Sequence, residues 1–410
     1  MSKRLDKGIG FSKITSVKTV WCIVVIFLAL FFNPLYLLFF LVCVERFVRL
    51  PLGVNYILAL SISLLFINRE IGGGWSAVAA SNVASDDAVN YIRYYNALFD
   101  KDFYITHGIS FYNGGEPLWY TVAAITRFLT GGNNLSIVMA SVVIPILLLH
   151  KSLANISYDH LYNIAFFYLL FPEIFHVFYH LWRFALSLSI TMLIFSHIIR
   201  RHDVNYKLIG VGLLAHVTSI ITSSFLVIAN KLSPDVLQRG LMQRFIVFFR
   251  LVVLLAISYL AFFFILEHSS YSKLIFYIKS EEITTLFAYS SRHYLYMIIS
   301  AYLIMFSKRG LIISLATLNF ALLLLPMFLR ITIIYERVLL LLTPLIILSF
   351  LHHLSKRNQR KSLMLIPMFL LLINFVLNSN GQLFYEYMSR GHAFDLFNGA
   401  AFNVYSIMNN

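Results

Sequence analysis

Two groups of side chains stand apart from the rest of this apolar sequence. Six of its 18 Asp and Glu residues (Glu70, Asp86, Asp87, Asp100, Asp102 and Glu116) fall in one polar stretch, from Glu70 to Glu116. Single arginines then open later apolar runs. Arg183 stands in FYHLWRFALSLSI, after His176 and His180, and Arg330 and Arg337 stand in MFLRITIIYERVLLL. A carboxylate facing a poorly hydrated site can take a proton from a hydroxyl as a general base. A guanidinium offers paired, planar donors that match a phosphate, and it keeps its charge where water is scarce. Together these residue types suit transfer chemistry on an anionic headgroup.

A blander reading stands beside this one. Carboxylates at the start of a helix favour its macrodipole. Arginines at a boundary snorkel, or pair as Glu336 could with a neighbouring arginine. A lone arginine at the centre of a bilayer costs roughly 2.5–3.5 kcal/mol on insertion scales, so each needs a partner. Three arginines on the same face as a carboxylate-rich loop are harder to explain by snorkelling alone. His216, in GLLAHVTSIITSS, reads equally as a site residue and as a satisfied packing histidine. No zinc-protease, nucleophile-elbow, Walker or Cys/His pattern occurs, so no metal or other cofactor is expected.

The elements that must position these residues are helices. The chain has 410 residues, 60% of them hydrophobic and 12% charged, and a mean hydropathy of +0.79. Apolar runs recur from Trp21 to Leu377. The expected class is an all-α, polytopic integral membrane protein with about 11–13 membrane helices, short or re-entrant ones included, since helices satisfy their own backbone in lipid. The net charge of +14 would suggest nucleic acid in a soluble protein. Here the basic clusters flank apolar runs and read as orientation signals, so no nucleic-acid partner is expected. Cys22 and Cys43 both lie within apolar runs and form no disulfide or zinc pattern.

Charge also sets the expected topology. Asn33-Pro34 interrupts the first apolar run, and proline breaks a helix interior. Two tight spans at 17–32 and 34–49 keep Arg46 and Arg49 on the same side as the basic N-terminus, and a third at 52–67 delivers the polar stretch to the other side. Runs follow at about 134–150, 160–179, 182–199, 245–266, 292–307, 310–329, 332–353 and 362–378. A helical hairpin is expected at 206–230 with its tip near His216. The chain is thus expected to be a single transmembrane domain, 1–410, with a non-cytoplasmic loop at 68–116 and a non-cytoplasmic tail at 381–410. PLWYTVAAITRFL is too short to span, so 117–130 is expected to lie in the outer interface. Within the loop, Asp87, Tyr91, Tyr94 and Tyr95 recur at helical spacing, with Ser85 as a cap.

At these residues the sequence resembles the EpsG family, Wzy-like polymerases of bacterial O-antigen and exopolysaccharide. The matching positions, in order, are Asp86/Asp87 with Tyr91, Glu116-Pro117, Arg183 with Ala185, His216 with Thr218-Ser219, and Arg337 with Leu339. Departures are Phe184 where the family commonly has glutamine, Leu118 where it has glycine, and Ala84-Ser85 where it prefers glycine. The resemblance implies a multi-pass protein of the bacterial inner membrane, compatible with a GT-C-like glycosyltransferase architecture, acting at the periplasmic or outer face. It would move a growing glycan from undecaprenyl diphosphate onto the next lipid-linked oligosaccharide unit, alongside a flippase and a chain-length regulator. By that resemblance Asp86, Glu116, Arg183, His216 and Arg337 are the catalytic candidates. Asp87, Tyr91, Tyr94, Trp119, His180 and Arg330 are candidates for holding substrate, the aromatic rings as flat surfaces for sugars.

Two other classes share these parts. A flippase for the same lipids would need charges lining both leaflets and repeated halves, and the sequence has neither. A single-sugar transferase using a polyprenyl-phosphate donor would look almost the same.

Overall fold

The structure, a computed structural model, describes residues 6–45, 47–67, 87–98, 117–157, 160–201, 291–324 and 333–356, with the single positions Leu226 and Val253. The expected hairpin tip near His216, the runs at 245–266 and 362–378 and the tail at 381–410 lie outside the described residues, as does most of 68–116. Every described element is helical, and no strand occurs among the described residues. The chain divides into two compact units, one of Met1–His216 with Asn358–Asn410 and one of Val217–Arg357. Composition offers no linker that marks this division.

The first unit begins with α1 (Asp6–Phe31), α2 (Pro34–Glu45) and α3 (Leu52–Ile67). The break between the first two falls at Asn33-Pro34, where Asn33 Oδ1 accepts from the backbone N–H of Leu35 at 2.9 Å. That side-chain oxygen satisfies one of the donors every helix start leaves open. Lys18, midway along α1, lines the same cavity as Arg49 and Gly53. The chain therefore leaves one end of the unit at Lys18 and is back at it by Arg49, an out-and-back hairpin. Val20, Ile23, Phe27 and Phe31 form an exposed apolar stripe on α1, an arrangement that suits apolar surroundings better than water.

α4 (Asp87–Asn96), α5 (Pro117–Thr130) and α6 (Asn134–Ile156) follow. On α4, Ala88, Tyr91, Ile92 and Tyr95 are all buried, the i, i+3, i+4, i+7 stripe of a helix with one face in the core. α5 buries Trp119, Tyr120 and Ala123 and leaves Phe128 83% and Leu129 73% exposed, so it is apolar on an outer face as well. The turn from α5 to α6 uses Gly131 and Gly132 at φ 66° and 90°, where a side chain would be strained. Asn133 then caps α6 by accepting from Leu135 N–H at 2.9 Å.

α7 (His160–Leu170), α8 (Glu173–His180) and α9 (Trp182–Arg201) complete the first unit. The expected single run at 160–179 is divided at Phe171-Pro172, because proline can donate no hydrogen bond to the preceding turn. Glu45 at the end of α2 accepts from Tyr162 N–H at 3.2 Å and lies 3.4 Å from His160 Nδ1. A carboxylate in the first turn of α7 is well placed against the helix dipole. Asn55, His150 and Tyr168 tie α3, α6 and α7 together. Asn55 donates to the His150 carbonyl at 3.3 Å, which leaves its Oδ1 to accept from His150 Nδ1 at 2.9 Å. His150 Nε2 then accepts from the Tyr168 hydroxyl at 2.8 Å. A neutral imidazole satisfies every partner in this set.

The second unit contains α10 (Ser291–Phe306), α11 (Gly310–Leu324) and α12 (Ile333–Lys356). His293 Nε2 donates to the Leu323 carbonyl at 2.6 Å, and Asn319 donates to Ser300 Oγ at 3.0 Å, so α10 and α11 run antiparallel. Tyr302 packs edge-on against Phe350 at 5.6 Å, which places the C-terminal halves of α10 and α12 side by side.

Among the described residues, Asn134–Ile156 and Trp182–Arg200 are long and apolar enough to cross a membrane, while the other apolar helical stretches, Val17–Phe31 and Leu339–Ser355 among them, run to 10–17 residues.

Candidate functional site

The residues singled out from the sequence meet in the first unit around Tyr91. Its ring lies 5.3 Å from that of Trp119 and stacks on that of Trp182 at 5.6 Å and 29°. The guanidinium of Arg183 lies 5.0 Å from the centroid of the same ring. Three helices therefore converge here: α4 brings Tyr91, α5 brings Trp119, and the start of α9 brings Trp182 and Arg183. Trp119 is fixed from the other side, its Nε1–H donating to Ser141 Oγ of α6 at 3.3 Å.

Tyr91 is 4% and Trp119 1% exposed. Both rings are covered, and the Tyr91 ring carries Arg183, so neither is the open surface for a sugar that the sequence suggests. They build a rigid socket that fixes where the arginine stands. A cation over an aromatic ring gains about 0.5–1 kcal/mol at exposed sites and about 2 or more when desolvated; Arg183 is half-buried. The ring contact positions the cation without adding a counter-charge. Arg183 is also the second residue of α9. Tyr94 is half-buried and remains a candidate for contact with substrate.

Trp182 and Arg127 carried no expectation from the sequence beyond their presence. The Trp182 side chain is fully buried, and among the described residues its Nε1–H has no hydrogen-bond partner. A buried donor left alone costs about 1–3 kcal/mol, so this N–H beside Arg183 is a candidate donor to a ligand oxygen. Its signal in the sequence is only its adjacency to Arg183. Arg127 proves to be a brace. Its Nη1 donates to the Tyr95 carbonyl, and its guanidinium lies 5.6 Å from the Tyr95 ring centroid. A basic side chain on the last carbonyls of a helix caps it favourably. The Tyr95 hydroxyl pairs with Thr130 Oγ1 at 3.3 Å, so α4 is locked to α5 at its far end.

Asp86, Glu116, His216 and Arg330 lie outside the described residues. Asp87, His180 and Arg337 occupy described helix positions, at the start of α4, the end of α8 and the first turns of α12, but their side chains lie outside the description. Asp87 precedes Tyr91 on α4 by one helical turn, about 6 Å of rise.

The other end of this unit is basic. Asn155 on α6 donates to Ser196 on α9 at 3.3 Å. Ser141 and Trp182 lie on the same two helices at the Tyr91 end, so α6 and α9 run parallel. Fourteen residues separate Ser141 from Asn155, and as many separate Trp182 from Ser196. Each interval rises about 21 Å. Lys18, Arg49, Lys151 and Arg200 line one cavity at this far end.

No family model matches the sequence, and no curated protein or solved structure matches it either.

Proposed function

We propose that the protein is a multi-pass membrane glycosyltransferase that polymerises lipid-linked oligosaccharide units at the non-cytoplasmic face of a bacterial inner membrane. The observation that carries this reading is the socket of Tyr91, Trp119 and Trp182 around Arg183. It draws the helix entered by Asp86-Asp87 and the helix opened by Glu116-Pro117 to one arginine at the start of an apolar helix. Those are three of the five sequence segments on which the resemblance to the EpsG family rests.

The two ends of the first unit support one placement in the membrane. Arg183 and Arg200 are 17 residues apart on α9, about 25 Å, close to the thickness of a hydrocarbon core of about 30 Å. The end with Lys18, Arg49, Lys151 and Arg200 belongs in the cytoplasm by the charge rule. The Arg183 end then faces out, and α5 lies in that interface with Ile125, Phe128 and Leu129 toward lipid.

In the reaction, a hydroxyl of the acceptor unit attacks the anomeric carbon of the growing chain. A new carbon–oxygen bond forms as the bond from that carbon to the lipid diphosphate breaks. Asp86 or Glu116 takes the hydroxyl proton, and Arg183 opposes the negative charge developing on the departing diphosphate. Trp182 Nε1–H contributes a neutral donor to the same oxygens.

The test is to replace Arg183, Arg337, Asp86 and Glu116 singly by alanine in the producing cell and to resolve its surface polysaccharide on a gel. Loss of the ladder with single units retained supports polymerisation. An unchanged ladder in all four variants contradicts the site, and loss of single units as well indicates a flippase.

A further inference from the structure

We infer that the basic cavity at the Arg200 end of the first unit binds the phosphate of an anionic lipid headgroup, at a site separate from the Arg183 socket. Orientation by charge alone requires basic residues on one side of a membrane; it does not require them to converge. Here they do. Lys18 comes from α1, Arg49 from the segment between α2 and α3, Lys151 from α6 and Arg200 from the end of α9, and all four line one cavity of about 930 Å³. His160 contributes to the wall, and among the described residues no Asp or Glu does. The volume falls within the range of sites that hold small organic ligands, roughly 300–1,000 Å³.

The surroundings select a lipid over a soluble phosphate. Leu52, about half exposed, lines the cavity beside Arg49. Val17 and Val20 flank Lys18 and open onto the exposed apolar stripe of α1. A headgroup phosphate among the cations would leave its acyl chains along that stripe, whereas a soluble anion would leave the stripe unused. The close approach of α1 and α3 shapes the floor: a Cβ on Gly53 would meet Cys22 Sγ at 2.8 Å. The wall therefore depends on a residue without a side chain. Guanidinium and ammonium groups both serve phosphate, the first by paired donors and the second as a point charge. This inference needs the basic end to face a membrane surface but does not depend on glycosyl transfer at the other end.

The test uses the full-length protein, purified in detergent and reconstituted into nanodiscs of phosphatidylcholine with or without phosphatidylglycerol. Co-purified and exchanged lipid is measured by native mass spectrometry. Each basic residue near an anionic surface is worth roughly fivefold in binding, so Lys151→Gln with Arg200→Gln should weaken phosphatidylglycerol retention about 25-fold. Lys18→Gln with Arg49→Gln should do the same, and the control pair Lys308→Gln with Arg309→Gln in the second unit should not. Inorganic phosphate at millimolar concentration should not displace the lipid. Equal retention in all variants, equal loss in the control pair, or binding of inorganic phosphate in place of lipid would each overturn the assignment. Polysaccharide synthesis is read separately, so failure of either proposal leaves the other standing.

Discussion

The Arg183 guanidinium and the Tyr91 ring lie 5.0 Å apart, joining the first turn of a long apolar helix to a short helix that begins at Asp87. This contact makes neighbours of α4 and an arginine more than ninety residues further along the chain. Because Tyr91 is itself clasped by Trp119 and Trp182, the arginine is held by a stack of rings and not by a single flexible partner.

The first expectation concerns that ring. Tyr91→Phe keeps the aromatic face and should leave polysaccharide synthesis within about twofold of the unsubstituted protein. Tyr91→Leu removes a contact worth about 0.5–2 kcal/mol and should lower it about tenfold, with the protein still present in the membrane fraction. Quantified ladders from cells expressing matched amounts of each variant provide the check.

Trp182 permits a finer separation. Trp182→Phe keeps a ring against Tyr91 and removes the buried N–H that has no partner. Thermal unfolding in detergent should therefore be unchanged or slightly raised, while transfer activity falls several-fold as a donor to the ligand is lost. A variant that is both fully active and more stable would show that the N–H serves no ligand.

The trio Asn55, His150 and Tyr168 should behave as one unit. Tyr168→Phe removes one hydrogen bond and should cost about 0.5–1.5 kcal/mol of stability. His150→Ala should cost more, since it removes the imidazole from both Asn55 Oδ1 and the Tyr168 hydroxyl. The double variant should cost less than the sum of the two. A double-mutant cycle on unfolding in mixed detergent reports this coupling directly.

Packing at Gly53 has its own cycle. A methyl group there would stand 2.8 Å from Cys22 Sγ, so Gly53→Ala should destabilise by about 1 kcal/mol, the low end for overpacking. Adding Cys22→Ala should recover most of the loss.

Orientation is checked by labelling with a membrane-impermeant maleimide in a background of Cys22→Ser and Cys43→Ser. Asn113→Cys should react in intact spheroplasts, and Lys151→Cys only after permeabilisation. The reverse pattern would invert the placement of the Arg183 end.

Much of the local structure was legible because backbone chemistry announces it. Asn33-Pro34 marks the start of α2 and Pro117 the start of α5, since a residue without an N–H fits only the first turn of a helix. The apolar period of Ala88, Tyr91, Ile92 and Tyr95 marks a helix with one buried face. What the sequence hid is depth and convergence. Tyr91 and Trp119 have the chemistry of a sugar platform, and only their packing partners show that both rings are covered. Lys18, Arg49, Lys151 and Arg200 stand far apart in the sequence, and nothing in their spacing says that they line one cavity. Trp182 was passed over because an aromatic at a helix start is ordinary at an interface. The break at Pro172 was missed because the apolar run continues through it on both sides.

The most direct measurement is transfer by the purified protein in nanodiscs supplied with lipid-diphosphate-linked repeat units isolated from the producing cell. Products are resolved by length. The unsubstituted protein should convert single units into a ladder. Arg183→Lys, which keeps the charge but loses the planar paired donors, should slow this by about 100-fold, near the lower bound for losing one oxyanion donor. A ladder formed at an undiminished rate by Arg183→Ala would contradict the role assigned to Arg183.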